Sequence, residues 1–271
     1  MKNNCVNCKT KLEGLYCYCC GEKIVAEKDF TIKKLLEQTL DVFTHLDSKI
    51  FLTLKFLLLK PGKLSDAYVK GLRKPFMKPF QIFILINILF FILLSNVDIF
   101  RIPSSELFNE IDLRGYNISK IVEEKITETN KTKNEIALVY DLKSTLVAKT
   151  YVIILIPLLS FVFALLFIRE KIQIGKHIIF STHLFSFLIL IIILWLSILM
   201  LLPKIHLDNI YLIKIPLLII WILYMGIAIK QFYKSTWIYT IVSTLIGIIA
   251  FMIFIDAYRT VISLYSLLSI N

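Results

Sequence analysis

The residues best suited to chemistry lie at the amino-terminal end, where all five cysteines fall within the first twenty residues. Cys5 and Cys8 form one Cys-x2-Cys pair, and Cys17 and Cys20 form a second pair after a spacer of eight residues. Each pair lets two thiolates reach one ion, and two pairs close a tetrahedral site of the kind that zinc prefers. Because four cysteines leave no open coordination position, we expect a structural Zn²⁺ and no catalytic role for it. Cys19 falls outside this spacing.

Two other chemistries use paired cysteines. Disulfides need an oxidising compartment, whereas the charge distribution described below places this end of the chain in the cytoplasm. A redox Cys-x2-Cys pair is expected at the head of a helix in a βαβ setting, and the residues around these cysteines do not have that pattern. The sequence therefore predicts a small zinc ribbon over residues 1–24, which can present a rigid protein-binding surface.

The rest of the chain is unusually apolar. Hydrophobic residues make up 57% of the sequence and charged residues 19%, against about 25% charged residues in soluble domains. A helix needs ~20 apolar residues to cross a bilayer, and five runs qualify: 81–97, 151–168, 178–202, 211–229 and 236–255. We therefore expect an all-α polytopic membrane protein with about five transmembrane helices and a small amino-terminal zinc ribbon. Its membrane domain is expected to cover residues 79–271.

Residues 29–78 connect the ribbon to the first span. Apolar residues recur at helical spacing from Phe30 to Leu54, with charged residues on the other face. This pattern predicts an amphipathic helix on the membrane or under the bundle, and it fits equally well a surface helix of a small cytosolic domain. The apolar run Phe51–Leu59 is too short to cross the bilayer and contains Lys55, so we expect a buried or interfacial helix there.

The placement of basic residues predicts the orientation of the chain. Residues 1–80 contain fifteen Lys and Arg against eight Asp and Glu, and the short loops 169–177 and 230–235 are also basic. The positive-inside rule then places the amino terminus in the cytoplasm, the carboxyl terminus outside, and the charge-balanced loop 101–150 outside an inner (cytoplasmic) membrane. Six basic residues just before the first span fit an anionic inner leaflet better than nucleic acid, which we do not expect as a partner. These are Lys60, Lys63, Lys70, Arg73, Lys74 and Lys78.

Each predicted span carries a polar residue at a similar depth, roughly 7–12 Å below the cytoplasmic face. The set comprises Asn87, Ser160, His183, Ser186, Tyr224, Thr240, Ser243 and Thr244. Hydrogen bonding between helices explains such residues without any ligand. The alternative is a cytoplasm-facing polar pocket in which His183 and Asn87 face each other, with His177 at its lip. The absence of a carboxylate deep in any span argues against a proton relay.

Several short stretches carry a resemblance to a known family. They are Cys5 to Cys8, Cys17 to Lys23, Leu46 to Leu54 with Lys60-Pro61-Gly62, Tyr68 to Arg73, Pro79-Phe80, His177 to Phe180 with His183 and Phe187, Tyr224, and Phe232-Tyr233. The chain resembles a domain-of-unknown-function family of bacterial membrane proteins that join a short four-cysteine ribbon to several membrane spans. The resemblance implies this architecture and leaves the activity open.

From these patterns we expect a non-enzymatic membrane component, whose ribbon recruits a cytosolic protein partner or braces the helices before the first span. The alternative is a small-molecule or lipid transporter that uses the inner-leaflet polar pocket around His183 and Asn87. A membrane enzyme built on His183 and His177 is less favoured, because the spans lack the carboxylates or nucleophile that metal-assisted or acyl chemistry needs.

Overall fold

The computed structural model describes residues 4–24, 49–94, 97–109, 112–201 and 210–270, with side chains from 214 onward in the last range. The predicted amphipathic stretch between 29 and 48 lies outside the described residues. The chain divides into two compact units. The first combines Met1–Leu93 with Leu159–Ile248, and the second combines Leu94–Leu158 with Ile249–Asn271.

The described residues are mostly helical. The helices in chain order are α1 (Ile50–Leu59), α2 (Lys63–Val69), α3 (Pro79–Leu93), α4 (Ser104–Leu107), α5 (Ile118–Thr129), α6 (Lys133–Tyr151), α7 (Leu155–Leu166), α8 (Ile174–Met200), α9 (Ile210–Tyr233) and α10 (Trp237–Leu268). Two short strands, β1 (Asp112–Leu113) and β2 (Tyr116–Asn117), pair antiparallel between α4 and α5.

Residues 4–24 form the ribbon, in which two turns repeat the same hydrogen bonds. The Cys5 N–H donates to the carbonyl oxygen of Thr10, and the Cys17 N–H donates to that of Glu22, both at 2.8 Å. The Lys9 and Gly21 N–H groups return to the carbonyl oxygens of Cys5 and Cys17. Lys9 and Gly21 both have positive φ, at 66° and 71°. The two turns are therefore equivalent knuckles, as the Cys-x2-Cys spacing predicts.

Four helices are long and apolar enough to cross a membrane: Lys133–Leu166, Ile174–Met200, Lys214–Tyr233 and Trp237–Leu268. They indicate a multi-pass membrane protein, in rough agreement with the predicted count of about five. The remaining predicted span, 81–97, overlaps α3, which has 15 residues. Such a helix is about 22 Å long, shorter than the ~30 Å hydrocarbon core.

In the first unit, α8 packs against α2, α3 and α9. Its apolar residues are distributed around the whole helix, which is the pattern of a helix buried on all sides. The ring of Phe83 on α3 stacks on that of Phe185 on α8, with centroids 5.8 Å apart.

The turn between α1 and α2 brings the backbone close to α9. Gly62 has φ +72°, and a Cβ added at this position would lie 2.5 Å from the carbonyl oxygen of Ala228. Both the left-handed backbone and the lack of space therefore require glycine. On α1, Thr53 and Leu57 are buried, whereas Phe51 is 81% exposed, so this helix has one packed face and one open apolar face.

The second unit contains the predicted loop 101–150, and this segment is largely helical. The Asn117 side chain caps α5 by accepting from the Lys120 N–H at 2.9 Å. Thr132 and Glu135 form a capping box at the start of α6. These caps and a short β-turn at Arg114-Gly115, where both residues have positive φ, explain why the segment folds instead of forming an open loop. The buried core consists of Leu107, Leu113, Ile118, Val122, Ile136, Tyr140, Leu267 and Ile270.

One carboxylate joins three parts of this second unit. Asp141 on α6 accepts from Arg101 Nη1 at 2.6 Å, from the Ser104 N–H at 3.0 Å and from the Ser104 hydroxyl at 2.6 Å. Arg101 also pairs with Asp98, at 2.6 Å. Tyr258 on α10 donates to the carbonyl oxygen of Ala148 on α6 at 2.8 Å. Ionic and hydrogen-bonded contacts thus supplement the apolar core.

Candidate metal centre and buried polar cluster

The four predicted cysteine ligands lie together. The sulfur atoms of Cys5, Cys8, Cys17 and Cys20 are all within 4.8 Å of one another. Cys5 Sγ lies 3.5 Å from Cys20 Sγ, and Cys8 Sγ lies 3.5 Å from Cys17 Sγ. Tetrahedral coordination with metal–sulfur bonds of ~2.3 Å separates the sulfurs by about 3.8 Å. The group could therefore hold one metal ion, while the exposed Cys19 is not part of it.

The environment of Cys8 favours the thiolate form that binds metals. Its sulfur lies 3.2 Å from the Thr10 hydroxyl. Hydrogen bonding with Thr10 lowers the pKa of Cys8 to about 6, because the thiolate accepts hydrogen bonds better than the thiol does. Hydrogen bonding to Thr10 thus favours the thiolate at one of the four candidate ligands.

Glu22 attaches the ribbon to the residues that follow α2, a role that was not predicted from the sequence. Glu22 is only 6% exposed. Its carboxylate accepts from the Lys74 N–H at 2.9 Å and from the Arg73 N–H at 3.4 Å. We call residues 71–77 the docking turn. The other end of this turn is also fixed, because the Met77 N–H donates to the buried Thr53 hydroxyl of α1 at 2.9 Å.

Arg73 links the docking turn to α2. Its Nε donates to the carbonyl oxygen of Tyr68 at 3.3 Å, and its guanidinium carbon lies 5.1 Å from the centre of the Tyr68 ring. Tyr68 is 3% exposed, and burial raises the pKa of Tyr68 to about 12. The tyrosine is therefore neutral and packed under the arginine.

Beyond Tyr68 lies His183 of α8, which the sequence analysis placed in a polar pocket. His183 Nδ1 and the Ser65 hydroxyl of α2 are 2.9 Å apart and form a hydrogen bond. The Tyr68 ring meets the His183 ring edge to face, with centroids 6.2 Å apart. Both Ser65 and His183 are 2% exposed. The observed partner of His183 is thus a residue of α2 and not Asn87.

Two further buried contacts connect α8 and α9 with their surroundings. The Tyr224 hydroxyl donates to the carbonyl oxygen of Leu57 at 2.7 Å, and its ring stacks on Phe187. His177 Nδ1 lies 2.8 Å from the Tyr233 hydroxyl. Since His177 is only 1% exposed, the expectation that it sits at a pocket lip is wrong; the aromatic side chain of Tyr233 covers it.

The other predicted pocket residues fall into two groups. Ser186, Thr240 and Thr244 each donate to the carbonyl oxygen four residues earlier on their own helix. By contrast, Asn87 Oδ1, Ser160 Oγ, His183 Nε2 and Ser243 Oγ are buried without a hydrogen-bond partner among the described residues. Among the part of the chain that the structure describes, no hydrogen bond joins two of the eight residues across different helices. The pocket as a whole stays a prediction.

The comparisons with known proteins concern the segment that carries these contacts. Residues 47–91 match a family model described as protein of unknown function (DUF3667). This confirms the resemblance to a domain-of-unknown-function family. Neither the curated proteins nor the solved structures gave a match. The DUF3667 match includes α1, α2, the docking turn and most of α3, and so contains Ser65, Tyr68 and Arg73.

Glu22, Ser65 and Tyr68 are the functional candidates that residue patterns missed. For Glu22 the sequence contained one indication, namely its position two residues after Cys20, the last cysteine of the second knuckle. Tyr68 begins one of the stretches that carried the family resemblance, Tyr68 to Arg73, and Ser65 lies between that stretch and Lys60-Pro61-Gly62. Their partners are 51 to 118 residues away, a separation that no local pattern reports.

Proposed function

We propose that this chain is a non-enzymatic membrane component in which a cytoplasmic zinc ribbon braces the helices before the membrane domain. One observation carries the proposal: the buried Glu22 carboxylate accepts two backbone N–H groups of the docking turn. A tethered module that only recruits partners has no need of a buried contact to its own chain. Hydrogen bonds to a charged acceptor are also the stronger ones in proteins.

Zinc is the metal that the ligand set supports. Four thiolates in a tetrahedral arrangement favour zinc, and such closed sites contribute folding energy directly. Zinc-loaded knuckles would hold Glu22 in the conformation that reaches Arg73 and Lys74. We expect one zinc per chain in the purified protein and its loss in the Cys17→Ser/Cys20→Ser variant, measured by elemental analysis.

The bracing role is tested by replacing the carboxylate. Glu22→Ala leaves two N–H groups of the docking turn without their acceptor, which costs about 1–3 kcal/mol of unfolding free energy. Glu13→Ala is the matched control, because Glu13 is an exposed carboxylate of the same ribbon. Both variants are compared with the wild type by denaturant titration in mixed micelles. Equal stabilities for the two variants would refute bracing.

The surroundings that we propose follow from charge. The basic residues of α2 and the docking turn suit an anionic inner leaflet. The ribbon would then lie on the cytoplasmic side of an inner membrane. Leu15, Tyr16 and Tyr18 are 61–72% exposed on the ribbon, and they offer a small surface to a cytosolic protein. No nucleic-acid partner is proposed.

A second candidate function is the handling of a small polar molecule or lipid at His183. It is favoured by the buried polar atoms without partners, especially Ser160 Oγ and His183 Nε2. Phe163 on α7 meets Phe180 on α8 with ring centroids 5.2 Å apart. Ser160 lies one turn before Phe163 on α7, and His183 lies one turn after Phe180 on α8. Because a short connection joins the two helices, both residues lie at the same level.

The Ser160→Ala variant separates this candidate from simple helix packing. If the hydroxyl has no partner in the native protein, its removal is neutral or stabilising, because an unsatisfied buried polar group is eliminated. If the hydroxyl binds a water molecule or a ligand, Ser160→Ala destabilises by about 1 kcal/mol. Ser186→Ala is the control, since Ser186 bonds to its own helix.

A further inference from the structure

Glu22 belongs to the metal site and to the docking contact at the same time. Its carbonyl oxygen accepts from the N–H of the ligand Cys17 at 2.8 Å and so closes the second knuckle. Its side chain holds the Arg73 and Lys74 N–H groups. The backbone position that the knuckle imposes is therefore also the position from which the carboxylate reaches the docking turn.

From the docking turn, contacts continue to the membrane helix α8. Arg73 lies over the Tyr68 ring and donates to the Tyr68 carbonyl oxygen. Tyr68 packs against the His183 ring, and Ser65, one turn earlier on α2, is hydrogen-bonded to His183 Nδ1. Each step is a contact between named atoms or rings, and all five residues from Glu22 to His183 belong to the first unit.

We propose that zinc binding at the ribbon is thermodynamically coupled to the Ser65–His183 contact, with Glu22 and Arg73 as the positioning residues that connect them. The inference rests on the proposed function, namely that the ribbon binds zinc and docks through Glu22. Small cysteine ribbons lose their fold without metal. Metal loss then withdraws the Glu22 carboxylate, frees the docking turn and loosens α2 against His183.

Coupling of this kind is reciprocal. If zinc stabilises the Ser65–His183 contact, then that contact must raise the affinity for zinc by the same factor. A change made at the contact between α2 and α8 should therefore be measurable at the cysteines. A purely structural role for Ser65 would alter stability and leave the affinity for zinc unchanged.

The experiment measures the Zn²⁺ affinity of the full chain in nanodiscs, by competition with a chromophoric chelator. Four proteins form a cycle: wild type, Ser65→Ala, Glu22→Ala and the double variant. Ser65→Ala should weaken zinc binding about fivefold in the wild-type background, at the lower end of typical coupling. In the Glu22→Ala background the same change should have no effect, because the acceptor of the Arg73 and Lys74 N–H groups has been removed.

Two further variants guard against general misfolding. His183→Asn keeps a polar atom near the position of Nδ1 and should retain the wild-type affinity within about twofold. Ser186→Ala on the same helix should also leave the affinity unchanged, since its hydroxyl bonds to the Thr182 carbonyl oxygen of its own helix.

The outcomes separate failure of the coupling from failure of the proposed function. If the wild type binds zinc and Ser65→Ala leaves the affinity unchanged, the coupling is refuted while the zinc ribbon stands. A fivefold loss of equal size in both backgrounds refutes the route through Glu22. A wild type that binds no zinc refutes the proposed function, and the coupling with it.

Discussion

The two units of the molecule fix their polar side chains in different ways. The second unit is organised around a charge, since the Asp141 carboxylate accepts from Arg101 and Ser104. The helices of the first unit use neutral groups, such as the Ser65 hydroxyl with His183 and the Tyr224 hydroxyl with the Leu57 carbonyl oxygen. Among the residues of this unit that the structure describes, the buried carboxylate is Glu22, which docks the ribbon.

The difference follows from the cost of burying charge. The side chains of Arg101 and Asp141 remain 14% and 34% exposed, so their ion pair is not fully buried. Ser65 and His183 are almost completely buried, where an unpaired charge would cost far more than a neutral hydrogen bond. The Glu22 carboxylate is tolerated because backbone N–H groups solvate it.

The largest effect is expected where the first unit has no space to adjust. Gly62→Ala requires a side chain in a left-handed backbone conformation and places its Cβ 2.5 Å from the Ala228 carbonyl oxygen. Backbone strain and the clash together should cost about 3 kcal/mol of unfolding free energy. Gly14→Ala is the control, because nothing lies within 4 Å of a Cβ added there. Denaturant titration that gave both variants the same stability would mean that α2 does not pack on α9 as described.

A smaller effect should follow from neutralising the charged centre of the second unit. Asp141→Asn removes the partner of Arg101 and weakens the hydrogen bonds from Ser104, at a cost of about 2 kcal/mol. The change should also decrease the protection of α4 and α6 from hydrogen exchange. Glu124→Gln, on the exposed side of α5, should cost almost nothing. An Asp141→Asn protein as stable as the control would show that apolar packing alone holds this unit.

The smallest effect should come from a single neutral hydrogen bond in the first unit. Tyr224→Phe removes the bond to the Leu57 carbonyl oxygen and keeps the ring that stacks on Phe187, which should cost about 1 kcal/mol. Tyr265→Phe provides the comparison, since Tyr265 is 55% exposed. A loss as large as that of Asp141→Asn would contradict the distinction between neutral and charged centres.

Local patterns in the sequence predicted the elements that local interactions form. The spacing of Cys5, Cys8, Cys17 and Cys20 was sufficient to predict the cysteine cluster that could hold a metal ion, because each knuckle is a turn of a few residues. The apolar runs predicted the long helices for the same reason. The ends of the helices were harder to predict: α10 continues to Leu268, well past the expected end at 255.

Contacts between distant residues explain what the patterns missed. Nothing near Glu22 reports that Arg73 and Lys74 will supply its hydrogen bonds, and nothing near His183 reports Ser65. Residues 101–150 were predicted to be a charge-balanced loop between the first two spans, with a solvated helix over Lys120–Lys133. The helices of this segment form because Ile136 and Tyr140 pack with Leu267 and Ile270, and such a tertiary contact outweighs local composition.

The central claim is that a metal-loaded ribbon is docked on the residues before the membrane domain through Glu22. Hydrogen exchange at the Arg73 and Lys74 amides of the wild-type protein tests it most directly, with and without a zinc chelator. We predict that removing the metal accelerates exchange at these amides about tenfold or more, while the amides of α5 in the second unit keep their rates. Unchanged exchange at Arg73 and Lys74 after complete removal of the metal would contradict the claim.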